Sequence, residues 1–225
     1  LRNSSAASDV YKRQLSIVNA QKCIFEQTPC IVNVLEIYTE STPNPTKLKF
    51  VTSKQLLPQM IFEGKGVDEC ADSPFALALF EEFPEIGEVF ISNNFVTLTK
   101  VDDSKDWFEV IYTIKAFMHT YITEGNVIVS DRFVESYKES MKSQSKGAAD
   151  IEQKIIHLLE TYVRPAVETD GGNIAFEQFD HGIVTVKLQG ACSGCPSSTA
   201  TLKDGIEAML KRMLPEVKEV VALAE

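Results

Sequence analysis

The chain has 225 residues, of which 44% are hydrophobic and 24% charged, a balance typical of soluble globular proteins. This length allows one large domain or two small ones, and no apolar run is long enough to predict a membrane-spanning segment. The net charge of −10 argues against nucleic acid as a partner, because phosphate binding requires clustered lysine and arginine.

The first residues, "LRNSSAASDVYKRQ", show neither a regular hydrophobic periodicity nor the apolar stretch of a secretory signal. We interpret residues 1–33 as an unstructured or non-native lead-in segment. The five cysteines are odd in number and too sparse for a disulfide framework, which indicates a reducing compartment. Only Cys192 and Cys195 are closely spaced, whereas the others are isolated: Cys23, Cys30 and Cys70.

Hydrophobic patterns predict an N-terminal α+β domain over residues 34–125. Strands are predicted over 32–40 and 48–51, on either side of a turn in which two prolines bracket Asn44. A hairpin is predicted at Asn93, because apolar residues in strand-like runs flank this turn signal on both sides.

Two helices are predicted in this domain. Ser73 followed by Pro74 marks the start of the first, because serine caps helices and proline suits their first turn. The second is predicted over 104–122, where apolar residues recur at helical spacing. Residues 126–149 are largely polar and become rich in serine and lysine, which predicts a linker.

Residues 150–225 are predicted to form a second α+β domain with the element order α-β-β-α-β. A helical apolar stripe begins after Asp150, and Pro165 must end or kink that helix because its ring clashes with the preceding turn. A glycine turn at 170–172 leads into two strands joined at His181. A second helical stripe and a short apolar run then predict the last helix and the last strand.

Cys192 and Cys195 form a Cys-x-x-Cys motif between the second strand and the last helix of this domain. Backbone N–H groups at the start of a helix favour anions, which predicts lowered thiol pKa values there. The residues around the pair are small and leave the sulfur atoms accessible: Gly190, Ala191, Ser193 and Gly194. The motif is therefore predicted to present two thiolates outward.

Several interpretations of this pair stay open on the residues alone. A dithiol oxidoreductase places its motif in a βαβ unit, whereas a hairpin precedes this one. A zinc site requires four ligands and the domain offers one pair, because His157 and His181 are interpreted as surface residues. An iron–sulfur cluster also requires about four thiolates, which two chains would supply together. A buried structural pair is disfavoured by the small polar neighbours.

The remaining candidate residues predict no catalytic site. Cys70 is interpreted as an incidental thiol, Trp107 as a packing residue and Asp170 as a turn residue. The sequence shows no nucleophile–base arrangement and no phosphate-binding loop, so the chain is not predicted to be an enzyme.

Three features of the second domain carry a resemblance to a known family: Arg164-Pro165, the glycine turn at 170–172, and the run from Leu188 to Leu202 around the cysteines. With these features, residues 150–225 resemble the C-terminal domain of the NifU/Nfu family of iron–sulfur cluster scaffold and carrier proteins. The stretches "STPNPTKLKF" and "SPFALALF", with "DW" at 106–107, resemble the N-terminal domain of the same family.

This resemblance implies a function for the cysteine pair. Members of the family bind a [4Fe-4S] cluster between two chains through the Cys-x-x-Cys motif of each, which here is Cys192 and Cys195. The alternative cluster is [2Fe-2S], because both types can use four thiolates. The implied role is to transfer the cluster to apo-proteins; the alternatives are a dithiol oxidoreductase and a zinc-bound interaction module.

The resemblance also implies partners and a compartment. The expected partners are a second copy of the chain, apo iron–sulfur client proteins and an upstream cluster assembly machinery, with neither nucleic acid nor membrane among them. The expected compartment is the bacterial cytoplasm or, in a eukaryote, the mitochondrial matrix.

Overall fold

The structure contains two sheets, each with its own hydrophobic core, in an α+β arrangement of two domains. The computed structural model describes residues 34–102, 106–147, 150–193 and 196–224. Residues 35–225 form one compact unit. The predicted fold class is confirmed, whereas the predicted domain boundaries stay predictions. The lead-in segment, with Cys23 and Cys30, lies outside the described residues.

The first sheet has five antiparallel strands in the order β1-β2-β5-β4-β3. They are β1 (Ile37–Ser41), β2 (Lys47–Thr52), β3 (Leu57–Lys65), β4 (Ile86–Asn93) and β5 (Phe95–Lys100). The predicted β4–β5 hairpin is confirmed, and Asn93 takes a left-handed φ of 42° at its turn. The sequence does not predict β3, because Gln59 has a φ of 58° and a register shift between Leu57 and Ile61 breaks the alternation.

Side chains alternate between the two faces of this sheet. One face lies in the first core and carries a row of cross-strand partners: Phe50, Val96, Ile91 and Phe62. The opposite face carries several charged and polar side chains and is called the polar face: Lys47, Lys49, Glu63, Glu88 and Thr97. A small buried apolar cluster of Val51, Phe90 and Phe95 lies on this same face, so the sheet has one apolar side and one side of mixed character.

Helices α1 (Pro74–Glu82) and α2 (Trp107–Thr123) cover the first core, together with a 3₁₀ turn at Asp68–Cys70. Ser73 Oγ accepts a hydrogen bond from Ala76 N at 3.2 Å, so the predicted N-cap is confirmed. The side chain of Asp106 accepts a hydrogen bond from the backbone of the second helical residue and fixes the start of α2.

The predicted linker contains a helix, α3 (Asp131–Gly147). Ser130 Oγ accepts a hydrogen bond from Phe133 N at 3.2 Å, and the Phe133 ring lies 5.4 Å from that of Phe62. The start of α3 therefore packs on the first core, while most of its described residues are exposed. This exposure accounts for the polar composition, which gives few apolar positions from which to predict a helix.

The second domain follows the predicted order α-β-β-α-β, with one interruption in its first helix. Its elements are α4 (Asp150–Leu158), a π-helical turn (Leu159–Val163), α5 (Arg164–Thr169), β6 (Gly172–Asp180), β7 (Ile183–Gly190), α6 (Pro196–Met213) and β8 (Glu219–Ala224). β6 and β7 are antiparallel, and β8 pairs in parallel with β7.

Pro165 causes the predicted break between α4 and α5. It occupies the first turn of α5, where its missing N–H leaves no intrahelical hydrogen bond unmade. Directly before it, Arg164 N donates to Leu159 O, five residues back, which widens this turn into a π-helical one. The prediction of a kink or end at Pro165 is confirmed.

The second core lies between the sheet β6-β7-β8 and the helices of this domain. Its buried residues are Ile155, Leu158, Leu159, Val163, Val167, Ile174, Val184, Val186, Leu188, Cys192, Ile206, Leu210, Val217 and Val220. Within the described ranges, no helix of either domain is both long enough and apolar enough to cross a membrane.

Candidate functional site

Cys192 lies in a turn between two elements of the second domain, because β7 ends at Gly190 and α6 begins at Pro196. We call Gly190–Ser193 the cysteine loop. Cys192 is only 7% exposed and belongs to the second core. Cys195, the other predicted ligand, lies outside the described residues.

Two glycines let the cysteine loop pack against the turn before β6. A Cβ atom at Gly172 would lie 2.7 Å from Cys192 Sγ, so no larger residue fits there without displacement. Gly190 has a φ of 62°, and the following Ala191 N donates to Gly171 O at 3.1 Å. The cysteine loop therefore packs directly against the predicted glycine turn.

Lys47, on the polar face, holds the cysteine loop from the other side. Its Nζ donates to Gly190 O at 2.8 Å and to Ser193 Oγ at 3.0 Å. A third bond, also of 3.0 Å, joins it to Glu88 Oε2, so every N–H donor of the ammonium group has a partner. The Lys47 and Glu88 side chains are 5% and 10% exposed, which makes this a buried ion pair.

Glu63 and Thr97 add further hydrogen bonds between the polar face and the second domain. Glu63 Oε1 accepts from Gly190 N at 2.9 Å, and its Oε2 accepts from Gln189 Nε2 at 3.0 Å. Thr97 Oγ1 donates to Gly171 O at 2.7 Å. The cysteine loop is thus bound on both sides of Cys192, at the Gly190 backbone and the Ser193 hydroxyl, by side chains that are far away in sequence.

Lys49 extends the same contact to the end of α5. Its Nζ donates to Thr169 O at 3.0 Å, forms an ion pair with Glu40 at 2.8 Å and lies 4.8 Å from the centre of the Phe95 ring. The end of α5 carries negative partial charge, so a lysine is stabilising there. The polar face therefore contacts both the glycine turn and the cysteine loop.

The environment of Cys192 differs from the one predicted. Burial raises the pKa of the Cys192 thiol to about 11; the charge of Asp170 raises it further, whereas Lys47 lowers it. The prediction of outward-facing thiolates with lowered pKa is therefore wrong for Cys192, because the second core and the polar face exclude water from it. A buried, protonated thiol is a poor nucleophile, so this arrangement does not favour a dithiol oxidoreductase.

The other candidate residues lie where the sequence places them. Cys70 is buried in the first core, where burial and the charge of Glu69 raise its pKa to about 11. Trp107 packs against the same core, and His157 and His181 are exposed. Across the parts of the chain that the structure describes, no three His, Cys, Asp or Glu side chains lie close enough to hold a metal ion.

Sequence reasoning misses the polar-face residues that hold the cysteine loop. The alternation in β2 places Lys47 and Lys49 opposite the apolar side chains of Leu48 and Phe50, which indicates a charged sheet face. The pattern does not indicate that a second domain covers that face. The bond from Lys47 to Gly190 O joins residues 143 positions apart, and no local motif encodes it.

Comparison with known proteins covers both domains. Residues 37–125 match the family described as "Scaffold protein Nfu/NifU N terminal", and residues 155–221 match the NifU-like domain family. The chain is 34% identical over 189 residues to the human protein "NFU1 iron-sulfur cluster scaffold homolog, mitochondrial", covering 84% of this chain and 72% of that protein.

Two further relatives come from a plant and a yeast. "NifU-like protein 4, mitochondrial" from Arabidopsis thaliana is 38% identical over 186 residues, which is 82% of this chain and 64% of that protein. The solution structure of a NifU-like protein from Saccharomyces cerevisiae aligns with a TM-score of 0.40 and 23% identity, over 46% of this chain and 92% of that one.

The two matches define a protein in which an Nfu/NifU N-terminal domain is followed by a NifU-like domain. Because the sequence identity to the human protein extends over most of both chains, this chain belongs to the Nfu/NifU family of scaffold proteins. The predicted family resemblance is thereby confirmed.

Proposed function

We propose that the chain binds a [4Fe-4S] cluster between two copies, through Cys192 and Cys195 of each, and transfers it to apo-proteins. Family membership supports an iron–sulfur cluster scaffold role, because relatives carry that name. The observation that carries the ligand assignment is the position of Cys192 in the turn between β7 and α6, inside the matched NifU-like domain.

The chemistry of the pair suits an iron–sulfur cluster as cargo. Such clusters are held by about four thiolates, and one Cys-x-x-Cys motif supplies two of them. Two chains that meet at this motif would therefore complete one site. A cluster held at the interface between two chains is accessible from outside. This suits a cluster that is passed on to another protein better than one that stays bound as a cofactor.

Partners and compartment follow from the same role. A carrier requires an upstream assembly machinery that loads it and apo iron–sulfur proteins that accept the cluster. The human and Arabidopsis relatives are named mitochondrial, which supports the mitochondrial matrix if the source is eukaryotic. The bacterial cytoplasm is the corresponding compartment otherwise.

Anaerobic reconstitution with iron and sulfide tests the proposal. The full chain is compared with Cys192→Ala and with Cys70→Ala, which removes a buried thiol from the other core. We expect about two iron and two sulfide per chain in a brown dimer for the wild type and for Cys70→Ala, because four iron atoms are shared by two chains. Cys192→Ala is expected to lose the cluster and stay monomeric.

The iron count also separates the alternatives. About one iron and one sulfide per chain in a dimer would replace the [4Fe-4S] cluster by [2Fe-2S] and keep the carrier role. A colourless monomer, or a dimer that holds zinc without sulfide, would overturn the carrier role. Full cluster retention by Cys192→Ala would overturn the ligand assignment.

A further inference from the structure

The polar face of the first domain covers the cysteine loop of the second. Lys47 and Glu63 bind Gly190 from opposite directions, one at its carbonyl oxygen and the other at its N–H. Gly190 also approaches the same sheet so closely that an added Cβ atom would lie 2.8 Å from Phe90 Cδ1. The polar face therefore contacts the cysteine loop closely, and Cys192 within this loop is 7% exposed.

The chemistry of this contact makes it reversible. Most of the bonds that hold the loop use charged or hydroxyl side chains of the polar face, and such side chains regain water when the surfaces separate. Polar contacts between domains resemble transient protein interfaces and permit relative motion. Each domain also keeps its own hydrophobic core, so separation would leave both of these cores intact and would uncover a small apolar cluster on the polar face, formed by Val51, Phe90 and Phe95.

We propose that the polar face is a lid that closes over the cysteine loop of the same chain and must separate from it before Cys192 can reach a second chain. Lys47 is the main positioning residue of the closed state, because two of its bonds reach the two ends of the cysteine loop and the third joins it to Glu88 on the polar face. The consequence for cluster loading rests on the proposed function, whereas the closure itself does not.

The closure is tested on the full chain without a cluster. Alkylation of Cys192 by iodoacetamide is followed by peptide mass spectrometry in the wild type, in Lys47→Met and in Lys54→Met. Lys54 is an exposed lysine just beyond the same strand, so its variant removes an equal charge without touching the lid. We expect alkylation of Cys192 to be at least about tenfold faster in Lys47→Met, since the substitution removes two hydrogen bonds from a charged group to the cysteine loop. Lys54→Met is expected to react at the wild-type rate.

The direction of the change distinguishes a lid from a simple charge effect. Lys47 lowers the pKa of Cys192, so losing only its charge would slow the reaction. A rate in Lys47→Met that is unchanged or slower than wild type would therefore overturn the lid. If protection of Cys192 from alkylation increases with protein concentration, a second copy of the chain covers this residue. That result would also overturn the lid within one chain.

A second variant keeps the test decisive if Lys47→Met fails to fold, as judged by circular dichroism. Glu63→Gln preserves the size of the side chain and weakens the charge-assisted bond to Gly190 N. Faster alkylation of Cys192 together with faster hydrogen exchange at the Gly190 amide supports the lid, and wild-type values of both overturn it. Because no cluster is involved, failure of the lid and failure of the proposed function are separate results.

Discussion

Gly172 is the residue that most directly limits the space around Cys192. A methyl group there would lie 2.7 Å from Cys192 Sγ and 2.7 Å from Gln189 O, so Gly172→Ala must displace the cysteine loop. Overpacking of this kind costs about 1–3 kcal/mol, and we expect a loss of that size in the free energy of unfolding. Urea unfolding followed by circular dichroism measures it.

Gly205 provides the matched control for this substitution. It lies in α6, and an added Cβ atom there has no neighbour within 4 Å outside its own helix. Gly205→Ala is therefore expected to stabilise the chain by about 1 kcal/mol, because alanine is the better helix former. If both substitutions changed stability in the same direction, the packing assigned to Gly172 would be wrong.

The residues around Cys192 show how much of the candidate site can be predicted from the sequence. The small residues around Cys192 predict accessible sulfur atoms, and this prediction is wrong because Cys192 packs into the second core. They also give no sign of Lys47 and Glu63, which bind the neighbouring Gly190 from a different domain.

At the level of elements, Ser73 links two parts of the first domain. Its Oγ caps α1 by accepting from Ala76 N, and it also donates to Ile128 O at 2.7 Å, shortly before α3. Ser73→Ala removes both bonds at a fully buried site. We expect the free energy of unfolding to fall by about 1–3 kcal/mol, measured by urea denaturation.

Ser136 is the matched control for the cap. It is exposed on α3, and its Oγ donates only within its own helix, to Phe133 O at 3.0 Å. Ser136→Ala is expected to change stability by less than about 0.5 kcal/mol. Equal losses in the two variants would show that the cap and the bond to the segment before α3 contribute nothing specific.

The sequence predicts elements well where one local signal dominates. Ser73 with Pro74 predicts the start of α1, and Pro165 predicts the break before α5, because both act through their own backbone geometry. β3 escapes prediction because the backbone at Gln59 and the register shift between Leu57 and Ile61 break its alternation. α3 escapes because, among its described side chains, those that contact the core lie in its first turns.

For the whole molecule, the proposed lid and the proposed cluster-bridged dimer would compete for the same cysteine loop. On this proposal, the bonds that hold the loop in one chain have to break before the loop can face a second copy. Any substitution that weakens the lid should therefore shift the balance toward the dimer, provided that the two cores stay folded. Such a coupling would link a buried lysine in the first domain to cluster binding in the second.

Lys47→Met provides the measurement for this coupling. During reconstitution with iron and sulfide, we expect the variant to reach half-maximal dimer formation at a protein concentration about tenfold lower than wild type. The reason is that the wild type must break the hydrogen bonds of Lys47 to the cysteine loop before it dimerises, whereas the variant lacks them. Analytical ultracentrifugation at several protein concentrations, with iron counted in each sample, gives the two curves. Lys54→Met should follow the wild-type curve. A Lys47→Met curve that coincides with wild type, despite faster alkylation of Cys192, would mean that opening of the lid does not limit dimer formation.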